Sequence, residues 1–157
     1  MTETTLQMQK FINISLNGNP MIIVAVILTT IGSVLSIGFG IWHFFVPKKW
    51  NWYSYIDPKA AELIVAIRAI NVFFSLSLVL FGIANILIIY FNIQNQFSLL
   101  LLLTLSCVLW FVRSLLQIIW PQGSISVALK YGLLSTFIFV FLCYLISLLL
   151  VLIKNNF

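Results

Sequence analysis

Charged residues, and acidic residues above all, are scarce in this chain. Only three of its 157 residues are acidic, and charged residues of both signs make up 7% of the sequence, against 62% hydrophobic residues. A soluble domain carries more surface charge than this. The composition therefore excludes an ordinary soluble domain and indicates an integral membrane protein.

Cysteine and histidine are scarce as well. Cys107 and Cys143 lie far apart within apolar stretches and form no C-x-x-C pair, so we interpret them as buried thiols and not as a redox pair. The single histidine excludes a haem site made from two histidines of one chain. Because the sequence also contains no Ser-His-Asp arrangement, metal-ligand cluster or phosphate-binding loop, it identifies no catalytic site, metal site or cofactor, and it favours a protein that is not an enzyme.

Long apolar stretches are what the sequence does contain. Four of them exceed the roughly 20 residues that a helix needs to cross the hydrocarbon core of a bilayer. Alternating ten-residue strands, which are typical of membrane barrels, are absent. We therefore predict an all-α fold: residues 1–157 form one polytopic membrane domain, a bundle of four transmembrane helices. The predicted spans are residues 21–46, 64–91, 97–120 and 127–153.

Lysine residues beside the spans predict the orientation in the membrane. Loop 1 (residues 47–63) and loop 3 (residues 121–124) lie on one side, together with four lysines, whereas two lysines lie on the other side. The positive-inside rule then places loops 1 and 3 in the cytoplasm and both termini outside, in what we expect to be a bacterial cytoplasmic membrane. Lysines in these positions suit anionic lipid headgroups and do not indicate nucleic-acid binding.

Small residues repeat every four positions in the first span, at Gly32, Ser36 and Gly40. Such a stripe lets another helix approach closely. His43 follows Ser36 by seven residues and Gly40 by three, so it shares the same helical face. We expect this face to contact another helix, either inside the bundle or in a dimer.

Two arginines lie inside the apolar spans. A mid-span arginine costs about 3 kcal/mol, so such residues usually face the bundle interior or a water-filled cavity. Arg68 shares a polar helical stripe with Asn71, and Arg113 shares one with Gln117 and Trp120, so both arginines are expected to point inward. The three acidic residues, Glu3, Asp57 and Glu62, lie outside the predicted spans and therefore match the arginines poorly. An anionic ligand, a lipid headgroup or water is therefore expected beside the arginines.

These polar positions lie in the half of the bundle next to loops 1 and 3. A guanidinium presents a planar set of donors that suits a phosphate, a carboxylate or a quinone oxygen. The alternative is that the arginines extend to the interface and bond backbone carbonyls, while the tryptophans form an interfacial belt. The predicted ligand-binding residues are His43, Arg68, Asn71, Arg113, Gln117 and Trp120.

The sequence GIWHFFVP at residues 40–47 resembles the G-x-x-H-F-x-x-P signature near the first span of small DoxX-like membrane proteins. The resemblance covers roughly residues 32–90, and the Arg113 segment lies outside it. It implies four helices with a short apolar second hairpin. In some members it also implies association with membrane oxidoreductases or quinone-linked systems. Within the motif it implies a role for His43 only.

Three functional hypotheses remain open from the sequence. The leading one is a protein that binds an anionic or polar lipid-like ligand, a lipid headgroup or a quinone, in a cationic pocket near the cytoplasmic interface, as an accessory subunit of a membrane redox system. The alternative is a non-catalytic interaction protein, such as a partner subunit, an assembly factor or an immunity protein. A small proton-coupled transporter ranks last, because no acidic residue lies inside a span. The expected partners are membrane lipids and either another membrane protein or a second copy of the chain.

Overall fold

The computed structural model describes residues 19–93, 95–123 and 126–156. Four helices, each long and apolar enough to cross a membrane, account for most of these residues, and no strand occurs in the described ranges. The predicted all-α membrane bundle is therefore confirmed. The helices are α1 (Pro20–Lys49), α2 (Ala61–Phe91), α3 (Gln96–Ile119) and α4 (Val127–Asn156).

Asparagine side chains define where two of the helices begin. The Asn19 side chain accepts a hydrogen bond from the Met21 amide at 3.0 Å, and Pro20 occupies the first turn of α1. The Asn95 side chain accepts one from the Ser98 amide at 3.1 Å at the start of α3. Because the first amides of a helix have no intrahelical partner, these caps stabilise the starts of the two spans.

Helix α1 is the central helix of the bundle. It packs against both α2 and α4, and α4 also packs against α3, whereas the contact between α2 and α3 is the least extensive of these helix pairs. One polar link joins α2 to α3, where the Asn85 side-chain amide donates to the Ser106 hydroxyl at 2.8 Å. The α2–α3 side of the bundle is therefore its most loosely packed side.

The small residues of α1 make their close approaches within the chain. A Cβ atom added to Gly40 would lie 2.8 Å from the Ser75 carbonyl oxygen of α2, and one added to Gly32 would lie 3.2 Å from the Tyr144 ring of α4. On the α2 side of the same contact, a Cβ added to Gly82 would lie 2.6 Å from a side-chain carbon of Ile37 in α1. The stripe thus allows α1 to pack closely on two different helices.

A buried hydroxyl joins three helices near the middle of the bundle. The Ser36 hydroxyl donates to the Gly32 carbonyl at 2.8 Å and accepts from the Trp110 indole at 3.0 Å. Because the Ser36 proton is already used, the Tyr144 hydroxyl, at 3.2 Å, donates to the Ser36 oxygen. The Ser33 hydroxyl, 3.2 Å from the Tyr144 oxygen, donates to Tyr144 in turn. Hydrocarbon chains cannot replace these bonds, so the network stabilises the packing of α1, α3 and α4.

Candidate functional site

Four polar side chains from three helices are buried at the end of the bundle that carries loops 1 and 3. His43 is 8% exposed, Asn71 6%, Arg113 8% and Gln117 2%. All four belong to the predicted ligand-binding set. Burial of such groups is unfavourable unless they are hydrogen-bonded, so their partners determine what the site can do.

The hydrogen bond between His43 and Ser75 shows that His43 Nδ1 carries a proton. The Ser75 hydroxyl donates to the Asn71 carbonyl at 2.7 Å, and His43 Nδ1 lies 3.3 Å from the same hydroxyl oxygen. Because the serine proton is already used, His43 Nδ1 is the donor, and Nε2 is the acceptor that the neutral ring presents. The Asn71 side-chain oxygen is also buried and has no hydrogen-bond partner among the described residues.

Arg113 makes no salt bridge within the described part of the chain. One terminal nitrogen, Nη2, donates to the Gln122 side-chain oxygen at 2.6 Å, and Cζ lies 4.2 Å from the centre of the Phe137 ring. Asp57 and Glu62, the two acidic residues in the described ranges, are exposed. An amide and an aromatic face therefore offset the charge of Arg113 only partly, and a guanidinium has further N–H donors to offer.

Gln117 holds the described part of loop 3, residues 121–123, against α3. Its side-chain nitrogen donates to the Gln122 carbonyl at 2.9 Å, and its side-chain oxygen accepts from the Gln122 amide at 3.3 Å. Gly123 continues the turn with φ +87°, a conformation that glycine adopts without strain. These contacts give Gln117 a positioning role: it fixes Gln122, which in turn binds Arg113.

The prediction that Arg68 points inward is wrong. Its side chain is exposed, and its Cζ lies 5.3 Å from the centre of the Tyr53 ring in loop 1. Residues three apart on a helix differ in direction by about 60°, so Arg68 projects from the edge of the stripe to which the buried Asn71 belongs. The alternative considered from the sequence, an arginine that extends to the interface, describes Arg68 better.

A cavity of about 350 Å³ lies between α2 and α3, and we call it the lateral cavity. His43, Asn71 and Arg113 provide its polar wall. Apolar side chains and the largely exposed Trp120 complete it on the outer side. That outer side belongs to the apolar surface of the bundle. Its apolar residues are Ile67, Ile70, Phe74 and Leu116.

A second cavity, of about 300 Å³, lies between the end of α1, loop 1 and loop 3, and we call it the ring cavity. Trp42 and Trp50 meet at 82° with ring centres 5.4 Å apart, and His43 and Trp52 meet at 80° with centres 6.3 Å apart. The rings therefore form walls at nearly right angles. Among the described residues, no lysine, arginine, aspartate or glutamate lines this cavity. Its aromatic residues are Phe39, Trp42, His43, Trp50, Trp52 and Tyr55.

The ring cavity is the part of the site that the sequence interpretation missed. An interfacial belt was expected from the tryptophans, and the signal for a cavity was the density of aromatic residues between positions 42 and 55. The two cavities adjoin, because His43, Trp52 and Gln122 line both.

The site offers hydrogen-bond donors and aromatic faces, and it does not offer a metal-binding cluster. Among the residues that the structure describes, no three His, Cys, Asp or Glu side chains come together in a way that could hold a metal ion. The site can therefore bind an acceptor group through Arg113 and stack or enclose a second group among the rings. Comparisons of the chain with protein-family models, curated proteins and solved structures found no match, so the DoxX-like resemblance stays a prediction.

Proposed function

We propose that this membrane protein binds a lipid-like ligand, a lipid headgroup or a quinone, with its polar head in the lateral cavity. The observation that carries the proposal is Arg113, a buried cation without a salt bridge in the described ranges that lies beside His43 and Asn71 on one cavity wall. An anionic or carbonyl oxygen would accept the hydrogen bonds that this guanidinium can still donate.

The position of the lateral cavity favours a ligand that comes from the bilayer. Ile70 and Leu116 line the cavity and are also exposed on the apolar surface of α2 and α3. An apolar tail can therefore extend from the cavity along the bundle while the head stays beside Arg113. A water-soluble ligand would gain nothing from this apolar side, so an amphipathic ligand fits better.

The interaction-protein alternative has less support from the structure than from the sequence. Its main sequence feature was the stripe of Gly32, Ser36 and Gly40, and those residues contact other helices of the same chain. A role as an accessory subunit of a bacterial redox system rests on the DoxX-like resemblance, and the cytoplasmic position of the cavity rests on the lysine distribution. Both remain parts of the proposal.

Two arginine variants test the proposed function. The protein is purified in a mild detergent and offered a mixture of bacterial lipids and an isoprenoid quinone, and the retained ligands are measured by native mass spectrometry. Arg113→Met keeps much of the apolar bulk but removes the donors, so we expect retention to fall by roughly 10- to 100-fold, the range for hydrogen bonds to a charged group. The matched control is Arg68→Met, which removes an exposed arginine from the same end of the bundle and should retain ligand like the wild type.

Equal retention by the wild type and Arg113→Met would refute the proposed function, as would an equal loss in the Arg68→Met control. Helix content, measured by circular dichroism in the same detergent, shows whether each variant is folded.

A further inference from the structure

The two adjoining cavities differ in electrostatic character. The lateral cavity contains the Arg113 guanidinium, which attracts an anion. Among the described residues, no charged side chain lines the ring cavity, and most of its lining consists of aromatic rings. The cavities adjoin, because His43, Trp52 and Gln122 belong to the linings of both.

Aromatic walls at right angles suit an organic cation. The face of an aromatic ring carries negative electrostatic potential, and cages of several rings are the common way in which proteins enclose alkylated ammonium groups. Trp42, Trp50 and Trp52 supply the indole rings, which bind cations best among aromatic side chains. A volume of about 300 Å³ is sufficient for a group of this size and too small for a whole lipid.

The backbone of α1 adds to this preference. Val46 and Trp50 line the ring cavity at the C-terminal end of α1, where the helix dipole places partial negative charge. Pro47 has no amide proton, so the His43 carbonyl lacks the helical donor that position 47 would otherwise supply. Both features favour a positive group near the ring cavity.

A simple cation would nevertheless be repelled by its surroundings. Arg113 lies in the adjoining cavity, and Lys48 and Lys49 lie in the last turn of α1. A ligand that carries its own anion next to the ammonium group offsets this repulsion, because the anion lies beside Arg113. The charge pattern of the two adjoining cavities thus matches a zwitterion.

We propose, on the basis of the proposed lipid-like ligand, that its head is a phosphate ester bearing an ammonium group, as in phosphocholine and phosphoethanolamine lipids. The phosphate binds Arg113 in the lateral cavity, and the ammonium group lies among the rings of the ring cavity. A quinone or a phosphatidylglycerol head would supply an acceptor for Arg113 but no cation for the rings.

A competition experiment tests this assignment. The purified protein is offered equal amounts of phosphatidylcholine, phosphatidylethanolamine and phosphatidylglycerol with identical acyl chains, together with an isoprenoid quinone, and the bound fractions are read by native mass spectrometry. Both ammonium lipids should be retained over phosphatidylglycerol by roughly 3- to 30-fold, which is the range for cation–π contacts. The ratio between these two lipids then shows which ammonium group the ring cavity prefers.

Variants of the ring cavity show whether the rings cause the preference. Trp50→Leu removes one aromatic ring and should bring the retention of ammonium lipids down towards that of phosphatidylglycerol. Phosphatidylglycerol should stay bound, which also shows that the variant is folded. Trp50→Phe keeps a ring and should keep most of the preference. Phe45→Leu is the matched control, because Phe45 is an exposed aromatic residue of α1, five positions before Trp50, and lies outside both cavities.

Two results would overturn the assignment without affecting the proposed function. The first is that phosphatidylglycerol or the quinone is retained at least as strongly as the ammonium lipids. The second is that the preference for ammonium lipids is unchanged in both Trp50→Leu and Trp42→Leu. In either case the bound ligand would still be lost in Arg113→Met. If Arg113→Met retained every ligand, the proposed function itself would fail.

Discussion

Replacement of Gly40 by alanine should destabilise the bundle, although alanine is the better helix former. The new Cβ would lie 2.8 Å from the Ser75 carbonyl oxygen and 2.9 Å from a Val79 methyl group, where ordinary contacts begin at 3.4 Å. The carbonyl belongs to the backbone of α2 and cannot rotate away, so the two helices must separate. Overpacking of this kind costs about 1–3 kcal/mol, more than the roughly 0.5–1 kcal/mol that alanine gains over glycine in a helix.

Gly38→Ala is the matched control for this prediction. Gly38 lies two residues away on α1, and a Cβ there would meet nothing within 4 Å. Gly38→Ala should therefore keep or slightly raise the stability, whereas Gly40→Ala should lower it. The free energy of unfolding can be measured by titration with sodium dodecyl sulfate in mixed micelles, with circular dichroism and tryptophan fluorescence as the two signals.

Equal unfolding curves for the Gly40→Ala and Gly38→Ala proteins would refute the close approach of α1 and α2. A second consequence separates packing from nonspecific damage. Because the Ser75 hydroxyl binds His43 and the Ser75 carbonyl faces Gly40, ligand retention should fall in Gly40→Ala and stay unchanged in Gly38→Ala.

Three other changes have defined expectations. Ser36→Ala leaves the buried Trp110 indole without its acceptor and should lower the free energy of unfolding by about 1–3 kcal/mol in the same titration; unchanged stability would contradict the network. Gln117→Leu removes the bonds to loop 3 and should reduce ligand retention in native mass spectrometry at unchanged helix content, because Arg113 loses its positioned partner; full retention would contradict the positioning role. Cysteines at Ser54 and Asn92 should react with impermeant thiol reagents only from the cytoplasmic and the outer side respectively, and the reverse pattern would invert the proposed topology.

The fold was largely predictable because it depends on quantities that the sequence displays directly. A helix in a bilayer must satisfy its own backbone, so the length of each apolar stretch is enough to locate the four spans. The close contacts of α1 also followed from a local pattern, since Gly32 and Gly40 leave room that larger side chains would fill. The pattern could not identify the contacting helix, because that depends on the relative rotation of α1, α2 and α4.

The site was less predictable because its geometry depends on small angles and on a loop. Periodicity placed Arg68 and Asn71 on one stripe, but their difference of about 60° is enough to separate an exposed side chain from a buried one. The ring cavity depends on loop 1, where Asn51 adopts a left-handed conformation at φ 50° and the 3-10 helix Trp52–Tyr55 follows. Asparagine tolerates this conformation, but no periodic pattern in the sequence predicts it.

Helix α1 connects the stability of the bundle to the chemistry of the site. Gly40 and His43 lie on one face of it, and both meet Ser75 of α2, so the distance between these helices also sets the position of the histidine ring. Arg113 depends instead on the bond between α3 and loop 3. A change at the α1–α2 contact should therefore alter stability and binding together, whereas the loss of the Arg113 donors should alter binding far more than stability. That difference is what distinguishes a binding site from a polar group that only holds the helices together.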